Sequence, residues 1–191
     1  LLAYTDGSQG SLVKKLPLQW ALRRVPLEEE SSVPATMEVD LSYWREYSKK
    51  LVSEGERAFL DERRNYPLQW EMVRTDLYAQ TQGIRHPDRQ SYTGNLWYRT
   101  DLDLTAAQVQ GSVHLRFPGV FNECWLYVNG QLVAHREQGK IWWLNDYRFE
   151  WDVPLVGKLR PGTNTISLRC KCEHHLGGMF RRPFLYRRVS P

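Results

Sequence analysis

The sequence lacks the features that define several large classes of protein. No apolar run approaches the roughly 20 residues that a membrane-spanning helix needs. The 26 basic residues nearly balance the 22 acidic ones, and both kinds are scattered along the chain. No basic stripe of the kind that binds nucleic acid is present. We therefore expect neither a membrane nor a nucleic-acid partner, although the net charge of +4 suits an acidic polysaccharide.

Cysteine is scarce, with three residues in 191. Cys170 and Cys172 lie two apart on a predicted strand and share one face, a spacing that seldom permits a disulfide. Adding Cys124 does not complete a zinc site, which needs four ligands or three ligands and a water molecule. His174 and His175 are neighbours whose side chains point apart on a strand. The expectation is buried free thiols, and no metal ligand is assigned.

Catalytic motifs are also missing. The chain has no Gly-x-Ser-x-Gly elbow, no phosphate-binding loop and no His-Glu-x-x-His pair. Its carboxylates between Glu123 and Asp152 are dispersed, although a glycosidase pair needs only to meet in space. The chain opens at Leu1 with neither an initiator methionine nor a signal peptide. These absences predict a noncatalytic piece cut from a longer protein.

What the sequence does contain is short β-prone runs separated by turns. The clearest pair of runs flanks Asn129-Gly130, a dipeptide that supplies the two positive φ angles of a type I′ hairpin turn. Predicted strands cover residues 96–104, 112–117, 123–128, 131–136, 147–153, 164–172 and 180–188. Seven short strands without intervening helices predict an all-β sandwich. Its core is expected to include Trp97, Trp125 and Trp151.

The N-terminal third follows a different pattern. Apolar residues from Leu41 to Ala58 recur at helical spacing between charged residues, which predicts a helix over residues 40–64 on the flank of the sandwich. We therefore divide the chain at residue 70. Residues 1–69 form an N-terminal strand or linker and a helical segment packed on the sandwich, and residues 70–191 form the β-sandwich itself.

A series of short motifs carries a resemblance to a known family. The motifs are Gly94-Asn95-Leu96-Trp97-Tyr98-Arg99, residues 113–120, Trp125-Leu126-Tyr127-Val128-Asn129-Gly130, His135, Phe149-Glu150-Trp151-Asp152-Val153, residues 162–166 and residues 177–183. Their order and spacing resemble the sugar-binding domain of glycoside hydrolase family 2, within the galactose-binding-like superfamily. The resemblance covers residues 70–188.

This resemblance implies a galactose-binding-like jelly roll that is not itself catalytic. In whole family 2 enzymes the catalytic glutamates belong to a separate barrel, so the resemblance implies a catalytic domain in the same polypeptide. It also implies a secreted or periplasmic enzyme. Related modules bind carbohydrate, and many hold a structural calcium ion, which leaves calcium open as a cofactor here. Where several similar β-galactosidases have an acidic residue that helps to hold the sugar, this chain has Arg182.

Candidate sugar-binding residues come from two loops and two strand ends. A carbohydrate site needs flat apolar rings together with planar polar groups. The loop at residues 138–146 supplies adjacent tryptophans, of which only one can point inward if the loop is extended. The loop at residues 85–92 supplies groups that bind hydroxyls, uronates or sulfates. The candidate set is Trp142, Trp143, Arg85, Asp88, Tyr92, Arg136 and Arg181.

Three functions remain as hypotheses. The first is a noncatalytic carbohydrate-binding module of a larger glycan-degrading enzyme, with an acidic polysaccharide favoured by the basic surplus. The second is an interdomain scaffold of a family 2-like glycoside hydrolase without sugar affinity of its own, whose aromatic loops pack on the catalytic domain. The third is a protein-interaction module that uses the helix at residues 40–64.

Overall fold

A computed structural model gives the fold, and it describes residues 10–25, 70–84, 92, 94–139, 149–172 and 177–188. The predicted helix at residues 40–64 lies outside the described residues. Within them the protein is built from twelve strands, one turn of 3₁₀ helix at Ala79–Gln82 and one turn of α-helix, α1, at Ala106–Val109. The all-β class predicted from the sequence is confirmed.

The strands are numbered in chain order. They are β1 (Gly10–Lys15), β2 (Gln19–Val25), β3 (Glu71–Arg74), β4 (Gly94–Leu104), β5 (Val113–Phe117), β6 (Gly119–Phe121), β7 (Glu123–Val128), β8 (Gln131–Arg136), β9 (Trp151–Pro154), β10 (Gly162–Cys172), β11 (Gly178–Arg181) and β12 (Phe184–Arg188). A six-stranded sheet has the order β3-β2-β4-β10-β7-β8, and a four-stranded sheet has the order β1-β12-β5-β9. β6 and β11 form a separate pair.

The two larger sheets enclose one apolar core, and side-chain alternation explains it. In β5, Val113, Leu115 and Phe117 are buried, whereas the polar residues between them are only half-buried. Leu126 of β7 and Leu168 of β10 are also fully buried in the same cluster. Because successive strand residues point to opposite faces, each strand gives one apolar face to the core.

The hairpin predicted at Asn129-Gly130 is confirmed. Asn129 has φ 51° and Gly130 has φ 79°, the left-handed pair that a type I′ turn requires. The turn joins β7 to β8 and is fixed to β10 from the side. The side-chain Nδ2 of Asn129 donates to Asn164 Oδ1 at 3.0 Å, and Thr165 N donates to Asn129 Oδ1 at 3.0 Å. These bonds hold the turn in register with the neighbouring strand.

The single strand predicted over residues 180–188 is wrong in its extent. The chain forms β11 and β12, separated by Arg182 and Pro183. Pro183 has no N–H to give to a sheet ladder, which favours a break at this point. β11 pairs with β6, and β12 pairs with β1 and β5, so the break lets the chain move from one sheet to another.

Of the three tryptophans expected in the core, Trp97 is buried as predicted, whereas Trp125 is only half-buried. Trp97 and Trp125 alternate with core residues of β4 and β7 and therefore occupy the outer face of the six-stranded sheet. Trp97 is 3% exposed even so. Trp151 does pack against the core. The sequence pattern identified the strands and the burial of Trp97 correctly, but its assignment of Trp125 to the core is wrong.

Strands from both sides of residue 70 make up the sandwich. β1 lies at one edge of the four-stranded sheet, and β2 lies between β3 and β4 in the six-stranded sheet. Residues 10–25 are therefore part of both sheets, although they precede the predicted boundary. The division of the chain into two domains stays a prediction.

Candidate functional site

Four aromatic rings are in contact beside the β6–β11 pair. Tyr78 stacks on Phe180 with ring centroids 4.4 Å apart and planes 20° from parallel. Phe149 meets Phe180 edge-on at 5.4 Å, and Phe121 lies 5.7 Å from Phe149. We call these four residues the aromatic cluster. All four are half-buried, so each ring leaves part of its apolar surface open to a ligand or another surface.

Backbone pairing brings these rings together. Phe121 ends β6 and Phe180 lies in β11, its antiparallel partner. A Cβ atom at Gly119 would lie 2.7 Å from the Phe180 ring, so glycine permits the close approach of the two strands. Val120 N donates to the Phe149 carbonyl at 2.8 Å, which fixes Phe149 beside β6.

The cluster is next to a positive charge. The guanidinium carbon of Arg181 lies 5.8 Å from the Phe180 ring centroid, and the Arg181 side chain is exposed. Burial raises the pKa of the Tyr78 hydroxyl, and the charge of Arg181 opposes this only in part. The Tyr78 hydroxyl is therefore protonated at neutral pH and is able to donate a hydrogen bond. Rings, a hydroxyl and a cation are the groups that bind an anionic sugar.

Two buried amides lie next to the cluster in the chain. Gln80 is 4% exposed and Asn122 is 5% exposed. Within the part of the chain that the structure describes, neither polar atom of the Gln80 side chain has a hydrogen-bond partner, and Asn122 Nδ2 has none. Unpaired buried amides cost free energy, so such groups are uncommon in native structures. Both residues are within two positions of a ring of the aromatic cluster.

The side chain of Arg136 is held by backbone carbonyls and is not simply exposed to solvent. Its Nη2 donates to the Asn122 carbonyl at 2.7 Å and to the Val120 carbonyl at 2.8 Å. Its guanidinium carbon also lies 5.5 Å from the Trp151 ring centroid. The side chain thus joins the end of β8 to the chain on both sides of Phe121. Its role in ligand binding stays a prediction.

The other predicted site residues fall into three groups. Arg85, Asp88, Trp142 and Trp143 lie outside the described residues. Tyr92 is 6% exposed, packs in the core and has its hydroxyl 3.5 Å from the Asn95 carbonyl. Arg181 and Arg136 both reach β6, because Arg181 is paired with Gly119 and Arg136 donates to Val120. The structure therefore brings two of the seven candidates to the aromatic cluster.

Arg182, the residue at the acidic position of similar β-galactosidases, is tied to the fold. Its Nε donates to the Leu16 carbonyl at 2.6 Å, between β1 and β2. Leu16 N in turn donates to the Pro183 carbonyl at 3.1 Å. This position therefore fastens the β11–β12 connection to the N-terminal strands.

A second group of rings and cations crosses the outer face of the six-stranded sheet. Its members occupy paired positions on five adjacent strands, in the order Arg23, Trp97, Arg169, Trp125 and His135. The Arg169 guanidinium carbon lies 3.8 Å from the Trp125 ring centroid. The His135 ring stacks on Trp125 at 4.5 Å and 11°. We call these five residues the cation–aromatic row.

The position of Trp125 in this row limits what its ring can do. Arg169 lies at one side of the paired position and His135 at the other, because β7 runs between β10 and β8. The ring is thus in contact with both neighbouring side chains. The row is best explained as a stabilising element of the sheet, since cation–π and stacking contacts hold adjacent strands together.

Part of the aromatic cluster could not be identified from the sequence pattern. Phe149 and Phe180 fall inside predicted strands, where an aromatic residue suits the core as well as a surface. Phe121 follows Pro118-Gly119, which the pattern marks as a turn, and this hides β6. One feature of the sequence could have indicated these four residues. Each of them lies within a few positions of a loop rich in glycine, proline or polar residues, where binding residues are common.

The described residues contain no group of three or more histidine, cysteine or acidic side chains that would hold a metal ion. The structural calcium ion suggested by the resemblance stays a prediction. Nor does any helix within the described ranges have the length and apolar character needed to cross a membrane.

Comparisons with known proteins find similar structures but no match in sequence. No family model matches the chain, and no curated protein matches it. Among solved structures, a β-glucuronidase from Faecalibacterium prausnitzii matches 85% of this chain with a TM-score of 0.56 and 17% identity. A glycosyl hydrolase family 2 member from Bacteroides cellulosilyticus matches 91% with a TM-score of 0.58 and 16% identity.

A β-glucuronidase from Ruminococcus gnavus, solved with uronic deoxynojirimycin, matches 95% of this chain with a TM-score of 0.62 and 13% identity. The chain spans only 21%, 20% and 30% of these three proteins, respectively. Identities this low establish the fold alone. The chain therefore has the β-sandwich fold of one part of the glycoside hydrolase family 2 enzymes, as its resemblance implied.

Proposed function

We propose that the chain is a noncatalytic accessory domain of a glycan-degrading enzyme and that it binds carbohydrate at the aromatic cluster. The observation that carries this proposal is the group of half-buried rings at Tyr78, Phe121, Phe149 and Phe180, with the exposed Arg181 beside it. Rings of this kind pack against the C–H face of a pyranose, and arginine binds its polar or anionic groups.

The remaining candidates are close in sequence to members of this cluster or to the turn that follows Tyr78. Trp143 is six residues from Phe149, a stretch of chain that spans at most about 20 Å when extended. Trp142 is one residue further away. Arg85 directly follows Ile84, whose N donates to the Ala79 carbonyl at 3.2 Å in the turn after Tyr78. These short separations along the chain support Trp142 or Trp143 as an added stacking platform and Arg85 and Asp88 as polar ligands.

Charge supports an acidic glycan as the ligand class. The net charge is +4, and Arg181 is exposed next to the cluster. Two of the structurally similar enzymes are β-glucuronidases, which gives a uronate as the first anionic group to test. The catalytic partner would be another domain of the same polypeptide, since those enzymes are three to five times longer than the matched part. We also propose that the whole enzyme is secreted or periplasmic.

A glycan screen tests this function. The 191-residue chain is presented with neutral, uronic and sulfated polysaccharides, and binding is repeated with Trp142→Ala and Trp143→Ala. We expect binding to a uronic or sulfated polysaccharide that at least one of the two substitutions weakens about tenfold or more, the equivalent of roughly 1.4 kcal/mol. Thermal unfolding of each variant serves as the control for folding.

The scaffold hypothesis predicts a different result from the same screen. If the aromatic cluster packs on a catalytic domain, the folded chain binds none of the glycans. An apolar surface of this kind then remains exposed in the isolated chain, and the chain tends to associate with itself. That outcome would replace carbohydrate binding with a scaffold role.

A further inference from the structure

Cys124 and Cys170 form a close pair in the centre of the six-stranded sheet. Cys124 lies in β7 and Cys170 in β10, at directly paired positions. Their sulfur atoms are 3.6 Å apart, and both side chains are fully buried. All three cysteines are free thiols, as the sequence predicted. The two that meet, however, are on different strands and are separated by 46 positions in the chain.

The backbone at this pair suits a disulfide. Directly paired residues of antiparallel strands have Cα atoms about 4.5 or 5.5 Å apart, depending on their hydrogen-bonding position. Disulfides span Cα separations of about 4.4–6.8 Å. Both strand spacings fall within this range. Formation of the bond therefore needs mainly side-chain rotation and a small local adjustment of the strands.

The third cysteine is placed differently. Cys172 is paired with Gly94 of β4 across the ladder. Its sulfur is tightly packed, because a Cβ atom at Gly177 would lie 2.2 Å from it. Cys170 and Cys172 also lie on the same strand, a spacing that disfavours a bond between them. The pairing is therefore specific to Cys124 and Cys170.

A positive charge lies next to one member of the pair. Arg136 Nη2 is 3.8 Å from the Cys124 sulfur. Burial raises the pKa of the Cys124 thiol, but its contact with Cys170 and the charge of Arg136 outweigh burial and lower it. Burial raises the pKa of the Cys170 thiol well above its usual value. The positive charge of Arg136 therefore favours the thiolate of Cys124, and a thiolate is the form that attacks a disulfide.

We propose that Cys124 and Cys170 form a disulfide when the chain folds in the presence of a low-molecular-weight disulfide oxidant such as oxidised glutathione. One cysteine thiolate breaks the S–S bond of the oxidant, which gives a mixed disulfide and releases one thiol. The other cysteine then attacks the protein sulfur of that mixed disulfide and releases the second thiol. Two protein thiols are oxidised to one S–S bond, and one oxidant molecule is reduced to two thiols.

The test is refolding of the full chain from denaturant in a buffer of oxidised and reduced glutathione. Free thiols are alkylated before digestion, and the linked peptides are identified by mass spectrometry. We expect one alkylated cysteine, Cys172, and one linked peptide pair that joins Cys124 to Cys170. The oxidised protein is also expected to have a melting temperature about 5–10 °C above that of the reduced protein, because the bond restricts the unfolded chain.

Matched variants make the assignment unambiguous. Cys172→Ser is expected to keep the linked pair and to have no alkylated cysteine, whereas Cys170→Ser is expected to have two alkylated cysteines and no link. The peptide map of the wild-type protein tests the proposal even if a variant fails to fold. Three alkylated thiols in wild-type protein after oxidative refolding, or a link that involves Cys172, would overturn the proposal.

Discussion

At the scale of single residues, Arg136 shows how one side chain organises the region around the candidate site. It lies at the end of β8, yet its hydrogen bonds go to the carbonyls of Val120 and Asn122 on either side of Phe121. A guanidinium has five N–H donors in one plane, so it is able to serve several carbonyls at once. The sequence indicated a functional arginine here, and the structure assigns it these backbone contacts.

Replacement of Arg136 by alanine is therefore expected to destabilise the fold. The substitution leaves buried or half-buried carbonyls without their donors, and we expect the free energy of unfolding to fall by about 2–4 kcal/mol. Urea unfolding followed by tryptophan fluorescence measures this change. Arg136→Lys is the matched control: it keeps the charge but has a single nitrogen, so it should recover only part of the loss. Equal stability of wild type and Arg136→Ala would contradict this role.

At the scale of strands and sheets, most of the fold could be predicted from residue patterns. The turn at Asn129-Gly130 was predictable because few residue pairs accept two left-handed conformations. Strands β5 and β10 were predictable because apolar and polar residues alternate along them, a pattern that depends only on neighbouring positions in the chain. The helix at residues 40–64 stays a prediction, since it lies outside the described residues.

The errors arose where a pattern depends on tertiary contacts. Pro118-Gly119 suits a turn, but β11 is available as a partner and the missing Cβ of Gly119 allows it to approach, so β6 forms there. Trp125 was assigned to the core because large apolar residues are usually buried. Its position in the cation–aromatic row depends on Arg169, a residue on another strand whose alignment sequence reasoning could not determine. The aromatic cluster was missed for the same reason.

The cation–aromatic row gives a prediction about the six-stranded sheet. Trp125→Ala removes the ring between Arg169 and His135, and we expect the free energy of unfolding to decrease by about 2–4 kcal/mol. Trp125→Phe keeps a smaller ring and should lose less. Leu132→Ala, on the adjacent strand and 55% exposed, is the control, with a change within about 0.5 kcal/mol. Thermal or urea unfolding provides the comparison, and a Trp125→Ala variant as stable as Leu132→Ala would argue against the row as a stabilising element.

At the scale of the whole molecule, the chain combines a well-formed core with a separate aromatic surface. The core is enclosed by two antiparallel sheets, whereas the aromatic cluster surrounds the small β6–β11 pair. In this arrangement the two larger sheets carry most of the core packing, and the half-buried rings lie beside the smaller pair of strands. This arrangement is consistent with a domain that serves a larger enzyme.

The most direct test of this account is the affinity of the 191-residue chain for a uronic polysaccharide, measured by isothermal titration calorimetry with wild type, Phe180→Ala and Leu132→Ala. Phe180 is central to the aromatic cluster, and Leu132 is an exposed apolar residue on β8. The account predicts that wild type and Leu132→Ala bind equally and that Phe180→Ala, still folded by circular dichroism, binds at least about tenfold more weakly. Equal affinity of all three proteins, or no binding by the folded wild type, would contradict carbohydrate recognition at the aromatic cluster.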